Sequence, residues 1–108
     1  MGILFTRKEK NQWIWFEDNS EPYGGKYDGE IEAGKPDGQG TIIYLNGTKY
    51  VGSFKDGNWN GQGIFYFPNG DKWVGFFKND APWDIIWYDK NGNLNAKWEN
   101  GVKNNSKP

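Results

Sequence analysis

The side chains that could do acid–base chemistry in this chain are mainly carboxylates, because the sequence contains no histidine and no cysteine. A Ser-His-Asp triad, a Cys nucleophile or a zinc site of Cys and His therefore cannot be assembled. Two carboxylates beside an aromatic platform would suggest a glycosidase. The candidates are Asp28, Glu30, Glu32, Asp37, Asp56 and Asp84. Nothing in their spacing selects a pair, and alternating charges on a strand are typical of a solvated face. We expect no enzyme, no metal site and no cofactor.

Aromatic side chains offer a second kind of chemistry, the recognition of a partner's apolar surface. The chain has seven Trp, six Tyr and seven Phe, against only 14 Leu, Ile and Val combined. Tyr and Trp combine a large apolar area with one polar group, which suits them to interfaces. We predict a binding groove for a protein or peptide, with candidate residues Tyr27, Tyr50, Tyr66, Trp73, Trp87 and Trp59. The alternative is that these rings form the core, because so short a chain needs most of its apolar surface for stability.

Three tryptophan positions, Trp15, Trp59 and Trp83, form a second candidate surface. Trp59 stands in Asn58-Trp59-Asn60, a segment that we expect to be a loop. A loop tryptophan that strand packing does not demand is a candidate contact residue. It is equally a candidate lid over the edge of the core, and the sequence leaves both interpretations open.

Lysines offer a third kind of chemistry, attraction of anions. Lys26, Lys49 and Lys72 recur at equal spacing and could form a row that attracts anionic lipid head groups. The alternative is a solvated edge that discourages strand-to-strand aggregation. The formal net charge of −1 is not that of a strong nucleic-acid binder, so we expect no nucleic-acid partner.

The elements that must position these side chains are strands and tight turns. Gly (16) and Asn (13) are abundant, and both residue types belong in turns. Aromatic-rich segments punctuated by Gly and Asn are typical of strands. We therefore predict an all-β protein with almost no helix.

The chain contains an internal repeat of 23 residues. Residues 27–49 and 50–72 align without gaps and share nine identical positions, six of which are Gly or Asn. A third copy over residues 73–93 loses the paired glycines, because Trp83 and Ile85 stand where Gly61 and Gly63 would be. Such decay is expected of a terminal, capping copy.

The recurring motifs resemble the MORN (membrane occupation and recognition nexus) repeat. Tyr27-Asp28-Gly29, Gly38-Gln39-Gly40 and Asn46-Gly47 return at fixed spacing as Tyr50-Val51-Gly52, Gly61-Gln62-Gly63 and Asn69-Gly70. The resemblance implies an elongated, curved stack of β-hairpins with an aromatic-lined groove. It also implies a non-enzymatic protein-binding or scaffold module, or alternatively a peripheral membrane adaptor for anionic phospholipid head groups.

We expect one domain over residues 1–108. Residues 1–26 form an N-terminal cap hairpin, 94–101 a C-terminal cap strand and 102–108 a polar tail. The chain shows no membrane-spanning run and no secretory signal, which favours a cytoplasmic protein, peripheral at a membrane if the lysine row binds lipid. Unpaired sheet edges could also support a homo-oligomer.

The Asn-Gly pairs predict two-residue type I′ turns, which fix the register of each hairpin. Ile43 would then face Tyr50, and Tyr66 would face Trp73. One face would carry Ile43, Tyr50, Gly52, Phe54, Ile64, Tyr66, Trp73, Gly75 and Phe77, and the other Tyr44, Lys49, Val51, Ser53, Phe65, Phe67, Lys72, Val74 and Phe76. We expect residues 32–39 and 55–62 to be longer connections. Gly29, Gly52 and Gly75 should make room for aromatic rings that lie across the backbone.

Overall fold

The computed structural model describes residues 1–20 and 22–105, which form ten strands and, within these ranges, no helix. The strands are β1 (Gly2–Glu9), β2 (Gln12–Phe16), β3 (Gly25–Glu32), β4 (Lys35–Tyr44), β5 (Lys49–Lys55), β6 (Asn58–Tyr66), β7 (Lys72–Lys78), β8 (Ala81–Tyr88), β9 (Leu94–Glu99) and β10 (Val102–Asn105).

All ten strands belong to one open antiparallel sheet. Consecutive strands pair from β3 to β10, while β1 lies between β3 and β2, so that β2 is the edge strand at the N-terminal end. The molecule measures 50 × 27 × 25 Å, which is elongated. The predictions of an all-β fold and of stacked antiparallel hairpins are confirmed.

The C-terminal end differs from the sequence prediction of a polar tail over 102–108. Residues 102–105 form β10, which pairs with β9. The reason is a two-residue turn at Asn100 and Gly101, both of which have positive φ and reverse the chain into another hairpin. Residues 106–108 of the predicted tail lie outside the described residues.

The predicted type I′ turns at the Asn-Gly pairs are wrong. The connection from β4 to β5 is a three-residue loop. It is closed by hydrogen bonds from the Gly47 N–H to the Tyr44 carbonyl (3.0 Å) and from the Tyr44 N–H to the Thr48 carbonyl (2.9 Å). Only Gly47 has a positive φ, of 94°. The Asn46 side chain instead accepts a hydrogen bond from the Thr48 N–H (3.0 Å). This local bond favours the longer loop.

The extra loop residue shifts the register of each hairpin by one. Ile42, rather than Ile43, pairs with Tyr50, and Phe65, rather than Tyr66, pairs with Trp73. Because side chains alternate along a strand, the shift exchanges the faces of the strands that precede these loops. The inner face therefore carries Ile42, Tyr44, Tyr50, Phe54, Phe65, Phe67, Trp73 and Phe77, and the outer face carries Ile43, Lys49, Val51, Ile64, Tyr66, Lys72, Val74 and Phe76.

The connections at the opposite edge are shorter than predicted. Residues 32–39 and 55–62 are not long loops, because the chain reverses in two residues at Ala33-Gly34 and at Asp56-Gly57. All four of these residues have positive φ, as a type I′ turn requires. The Gly- and Asn-rich residues that follow belong to β4 and β6. Trp59 therefore lies in a strand, and the prediction that it lies in a loop is wrong.

A row of six glycines crosses the inner face at the middle of the sheet. The row consists of Gly2, Gly29, Gly40, Gly52, Gly63 and Gly75, each opposite the next on adjacent strands. Tyr27 and Tyr50 lie over this row: a Cβ at Gly63 would come within 2.6 Å of Cζ of Tyr50, and a Cβ at Gly29 within 2.6 Å of the Tyr27 hydroxyl oxygen. The glycines are therefore a floor on which these rings rest.

The two tyrosine hydroxyls bond to backbone carbonyls at irregular points of the sheet. The Tyr27 hydroxyl donates to the Glu30 carbonyl (2.6 Å), and the Tyr50 hydroxyl donates to the Ser53 carbonyl (2.9 Å). Strand pairing shifts in register at both positions, between 29 and 31 and between 52 and 54. The tyrosine thus satisfies a carbonyl next to each irregularity.

The third copy does not reproduce this arrangement. Trp73 takes the tyrosine position, and Ile85 follows Gly75 where the row would continue. A Cβ at Gly75 would overlap the Asp84 carbonyl rather than a ring, so the predicted role of Gly75 beneath an aromatic side chain is wrong. Among the described residues, Nε1 of Trp73 is buried without a hydrogen-bond partner. In the third copy, Ile85 therefore replaces the next glycine of the row, and the hydrogen bond from a buried aromatic side chain to a backbone carbonyl is lost as well.

Replacing Tyr50 with phenylalanine should lower the free energy of unfolding by about 1–2 kcal/mol, because the Ser53 carbonyl loses its side-chain donor. Tyr66→Phe, on the outer face, should change it by less than about 0.5 kcal/mol, since that ring keeps its contact with the Lys49 ammonium. Urea denaturation of both variants is the measurement. Equal losses would contradict the assignment of the two tyrosines to different faces.

Candidate functional site

The N-terminal hairpin β1–β2 turns back over the inner face of the sheet. Trp13 and Trp15 alternate with outward residues along β2 and point inward. The Trp13 ring lies 5.9 Å from that of Tyr44, which is three strands away, and the Trp15 ring lies 6.4 Å from that of Tyr27. The edge strand thus covers part of the aromatic face and leaves a cleft between itself and β4–β6.

We call this cleft the N-terminal groove, and its volume is about 350 Å³. Its aromatic walls are Trp13, Trp15, Tyr44 and Trp59; its floor is Ile42, Phe54 and Phe65; its polar rim includes Asn46, Thr48 and Asp80. Trp13 is 45% exposed, so one wall is open to solvent. An apolar cleft with a few polar groups at its rim is the usual form of a binding site.

Packing against the core fixes the position of Trp59. Its ring stacks on Tyr50 with centroids 5.2 Å apart and makes an edge contact with Phe65 at 4.8 Å. The backbone N–H of Trp59 donates to Oδ1 of Asp80 (2.7 Å), and the backbone N–H of Asp80 donates to the Trp59 carbonyl (3.0 Å). Two backbone-anchored bonds therefore hold the carboxylate of Asp80 beside the aromatic wall.

The charge of Asp80 acts on the groove itself. Burial of its carboxyl raises the pKa of Asp80, although the hydrogen bond from the Trp59 N–H opposes this shift. Burial chiefly, with a contribution from the negative charge of Asp80, raises the pKa of Tyr44 and of Tyr50 above the usual range. Both tyrosines stay protonated at neutral pH, which makes them ring surfaces and hydrogen-bond donors rather than bases.

A second aromatic group lies on the inner face near the C-terminal end. We call it the C-terminal cluster; its members are Phe67, Trp73, Trp87 and Trp98. Trp73 is central, with ring centroids 5.0 Å from Phe67 and 4.9 Å from Trp98. The Lys103 ammonium lies 5.1 Å from the ring centroid of Trp87 and 5.6 Å from that of Trp98. A lysine of the chain itself therefore already contacts two rings of this cluster.

The structure does not bring the six predicted binding residues into one site. Tyr27 and Tyr50 are 0% exposed and belong to the core, so they do not contact a partner directly. Tyr66 lies on the outer face. Trp59 lines the N-terminal groove, whereas Trp73 and Trp87 belong to the C-terminal cluster.

Sequence reasoning missed Trp13, Tyr44 and Asp80 as groove residues. The alternation of Trp13 and Trp15 in β2 does indicate two rings on one face. No sequence pattern, however, indicates that β2 returns over β4 rather than extending the sheet flat. Trp83, from the second predicted surface, lies outside the groove beneath the ammonium of Lys78, which is 4.4 Å from its ring centroid.

The lysines predicted to form a row do share one line on the outer face. Lys26 pairs with Ile43, which pairs with Lys49, and the line continues through Tyr66 to Lys72. Lysines and apolar side chains thus alternate from strand to strand. Ile43 is 53% exposed, so the line is accessible.

Three of the six carboxylates considered for catalysis accept hydrogen bonds from the backbone. Glu30 accepts a hydrogen bond from the Gln39 N–H (2.5 Å), Asp37 from the Asp56 N–H (3.1 Å) and Asp84 from the Asn100 N–H (3.0 Å). Within residues 1–20 and 22–105, no group of three or more Asp or Glu side chains could hold a metal ion. No helix in the described part is long and apolar enough to cross a membrane.

Comparison with known families supports the repeat. The family model of the MORN repeat matches residues 27–49 and residues 50–72, the two gap-free copies. No curated protein matches the chain.

Proposed function

Because residues 27–49 and 50–72 of this chain are MORN repeats, a non-catalytic module associated with protein and membrane binding, we propose that the chain is a non-enzymatic protein-binding module. Its N-terminal groove binds an apolar segment of a partner protein. The partner's side chains enter between Trp13 and Trp59, and the polar rim fixes their orientation.

The observation that carries this proposal is an aromatic cleft that is already open. The groove of about 350 Å³ is walled by rings that neighbouring side chains hold in place, so binding requires little ordering of the protein. Trp13 is the most exposed of these rings, and tryptophan is enriched among the residues that dominate binding energy. Tyr27 and Tyr50 contribute indirectly, as the support on which the groove rests.

Peptide display against the immobilised chain, followed by measurement of dissociation constants, tests the proposal. Trp13→Ala should weaken the selected peptides by about 30-fold or more, the usual loss at an aromatic hot spot. Ile43→Ala removes a comparably exposed side chain from the outer face and should leave the dissociation constants unchanged. The proposal is wrong if Trp13→Ala binds the selected peptides as tightly as the unaltered chain does.

A second candidate function is docking on an anionic membrane surface through the outer face. The alignment of Lys26, Lys49 and Lys72 with exposed Ile43 favours it, because such a line offers positive charge and apolar contact together. Juxtamembrane lysines contribute about 1 kcal/mol each near an anionic surface.

Sedimentation with vesicles distinguishes this second function. The chain should bind phosphatidylserine vesicles, and replacing all three lysines with glutamine should weaken binding by about 100-fold. Replacing Lys10, Lys55 and Lys90, which lie outside the line, is the matched control. Binding that does not fall when salt rises from about 0.05 M to about 0.5 M would exclude electrostatic docking.

A further inference from the structure

The N-terminal groove holds a negative charge that the described part of the chain leaves without a cation. The Asp80 carboxylate lines the groove, yet the one salt bridge found among the described residues is that of Arg7 with Glu9. Asp80 is solvent-accessible at the rim of the groove, so a cation of a bound partner can reach the acceptor positions that the backbone N–H of Trp59 leaves free.

The aromatic walls of the groove also lack a cation, in contrast to rings elsewhere in the molecule. Arg7 lies over Phe16, Lys49 over Tyr66, Lys78 over Trp83 and Lys103 over Trp87 and Trp98, at 4.4–5.6 Å from the ring centroids. Among the described residues no cation lies over Trp13, Tyr44 or Trp59. The molecule's own cations therefore cover rings outside the groove and leave these three uncovered.

We infer that the groove recognises an arginine side chain of the partner segment, stacked on the wall of Trp13 and Tyr44 and paired with the Asp80 carboxylate. This inference rests on the proposed function and names the residue that anchors the partner. Arginine fits better than lysine because its guanidinium is planar, weakly hydrated and able to stack on rings while it donates to a carboxylate.

The geometry supplies both parts of this recognition. The rings of Trp13 and Tyr44 are tilted and 5.9 Å apart, so they form one continuous wall rather than two separate surfaces. The bond from the Trp59 N–H occupies Oδ1 of Asp80, which fixes the carboxyl group while a carboxylate retains further acceptor positions. The long alkyl stem of arginine would lie along the apolar side of the groove.

Blocked tripeptides provide a direct test. The probes are acetyl-Gly-Xaa-Gly-amide with arginine, its neutral isostere citrulline, or leucine at the central position. Titration into the ¹⁵N-labelled full chain, followed by two-dimensional NMR, reports the indole N–H signals of Trp13 and Trp59. The arginine probe should shift both and bind about 10-fold or more tightly than the citrulline probe.

Two variants separate charge recognition from general contact. Asp80→Asn keeps an acceptor for the Trp59 N–H and should reduce the arginine preference to less than about 2-fold. Asp84→Asn is the matched control, because Asp84 also accepts a backbone N–H but lies on the strand face opposite the groove, facing Phe76; the preference should persist.

Several results would overturn the inference. They are citrulline binding within 2-fold of arginine, an unchanged preference in Asp80→Asn, tetramethylammonium binding as tightly as the arginine probe, or no groove signal shifted by any probe. Groove binding of the leucine probe alone would overturn the arginine anchor while supporting the proposed function. Conversely, display-selected peptides that ignore Trp13→Ala would remove the proposed function itself.

Discussion

Replacing Phe77 with alanine should lower the free energy of unfolding by about 4 kcal/mol, which is typical of a buried phenylalanine. The Phe77 side chain is 0% exposed and makes edge contacts with Tyr50 at 5.1 Å and with Trp59 at 6.0 Å. Its removal leaves a cavity beside the Tyr50 ring, on which the Trp59 ring of the groove stacks. The loss should therefore also weaken any ligand that depends on the position of Trp59.

Phe76→Ala is the matched control, because it removes the same side chain from the next residue of β7. Phe76 lies on the outer face and is 37% exposed, so its truncation should cost about 1 kcal/mol or less. Chemical denaturation of both variants in parallel measures the difference. Similar losses at the two positions would contradict the division of the sheet into an inner and an outer face.

Replacing Gly63 with alanine should lower the free energy of unfolding by about 3 kcal/mol. The added Cβ would overlap the Tyr50 hydroxyl and lie 2.6 Å from Cζ and 2.7 Å from Cε1 of that ring. Tyr50 cannot move away easily, since it is fully buried and its hydroxyl is bonded to the Ser53 carbonyl.

Gly24→Ala controls for the general effect of replacing glycine. The nearest atom to a Cβ at Gly24 is the Thr6 carbonyl oxygen, at 3.9 Å, so the change should be neutral or slightly stabilising through the unfolded state. Thermal and urea unfolding of both variants provide the comparison. A Gly63→Ala protein as stable as Gly24→Ala would contradict the account of glycines as a floor for tyrosine.

The sequence predicts the repeat, the absence of helix and the strand order along residues 27–93, because turn residues recur at fixed intervals. It also places Tyr50, Trp73 and Phe77 on one face correctly. Trp73 and Phe77 share a face by alternation within β7, and Tyr50 and Trp73 occupy equivalent positions of the repeat, so a one-residue error in the Asn-Gly loops does not alter the assignment.

The sequence does not predict the register across the Asn-Gly loops. Asn-Gly suits a two-residue turn, but here the Asn46 side chain accepts the Thr48 N–H and the loop takes three residues. A difference of one residue moved Ile43 and Tyr66 to the outer face. Side-chain hydrogen bonding inside a loop is a tertiary detail that residue types alone do not determine.

The sequence likewise does not predict the N-terminal groove. It depends on the return of β2 over β4, a contact between Trp13 and Tyr44 that are 31 positions apart in the chain. Within the repeats, residue spacing constrains neighbouring strands. The N-terminal cap has no repeat partner, so nothing in the spacing fixes how it packs.

The most direct test of the peptide-binding groove is ¹⁹F NMR of the chain labelled with fluorotryptophan, with a display-selected peptide added. Single Trp→Phe variants assign the seven tryptophan signals. We expect the signals of Trp13, Trp15 and Trp59 to shift on binding. Shifts confined to Trp73, Trp87 and Trp98 would place the peptide on the C-terminal cluster and contradict the account.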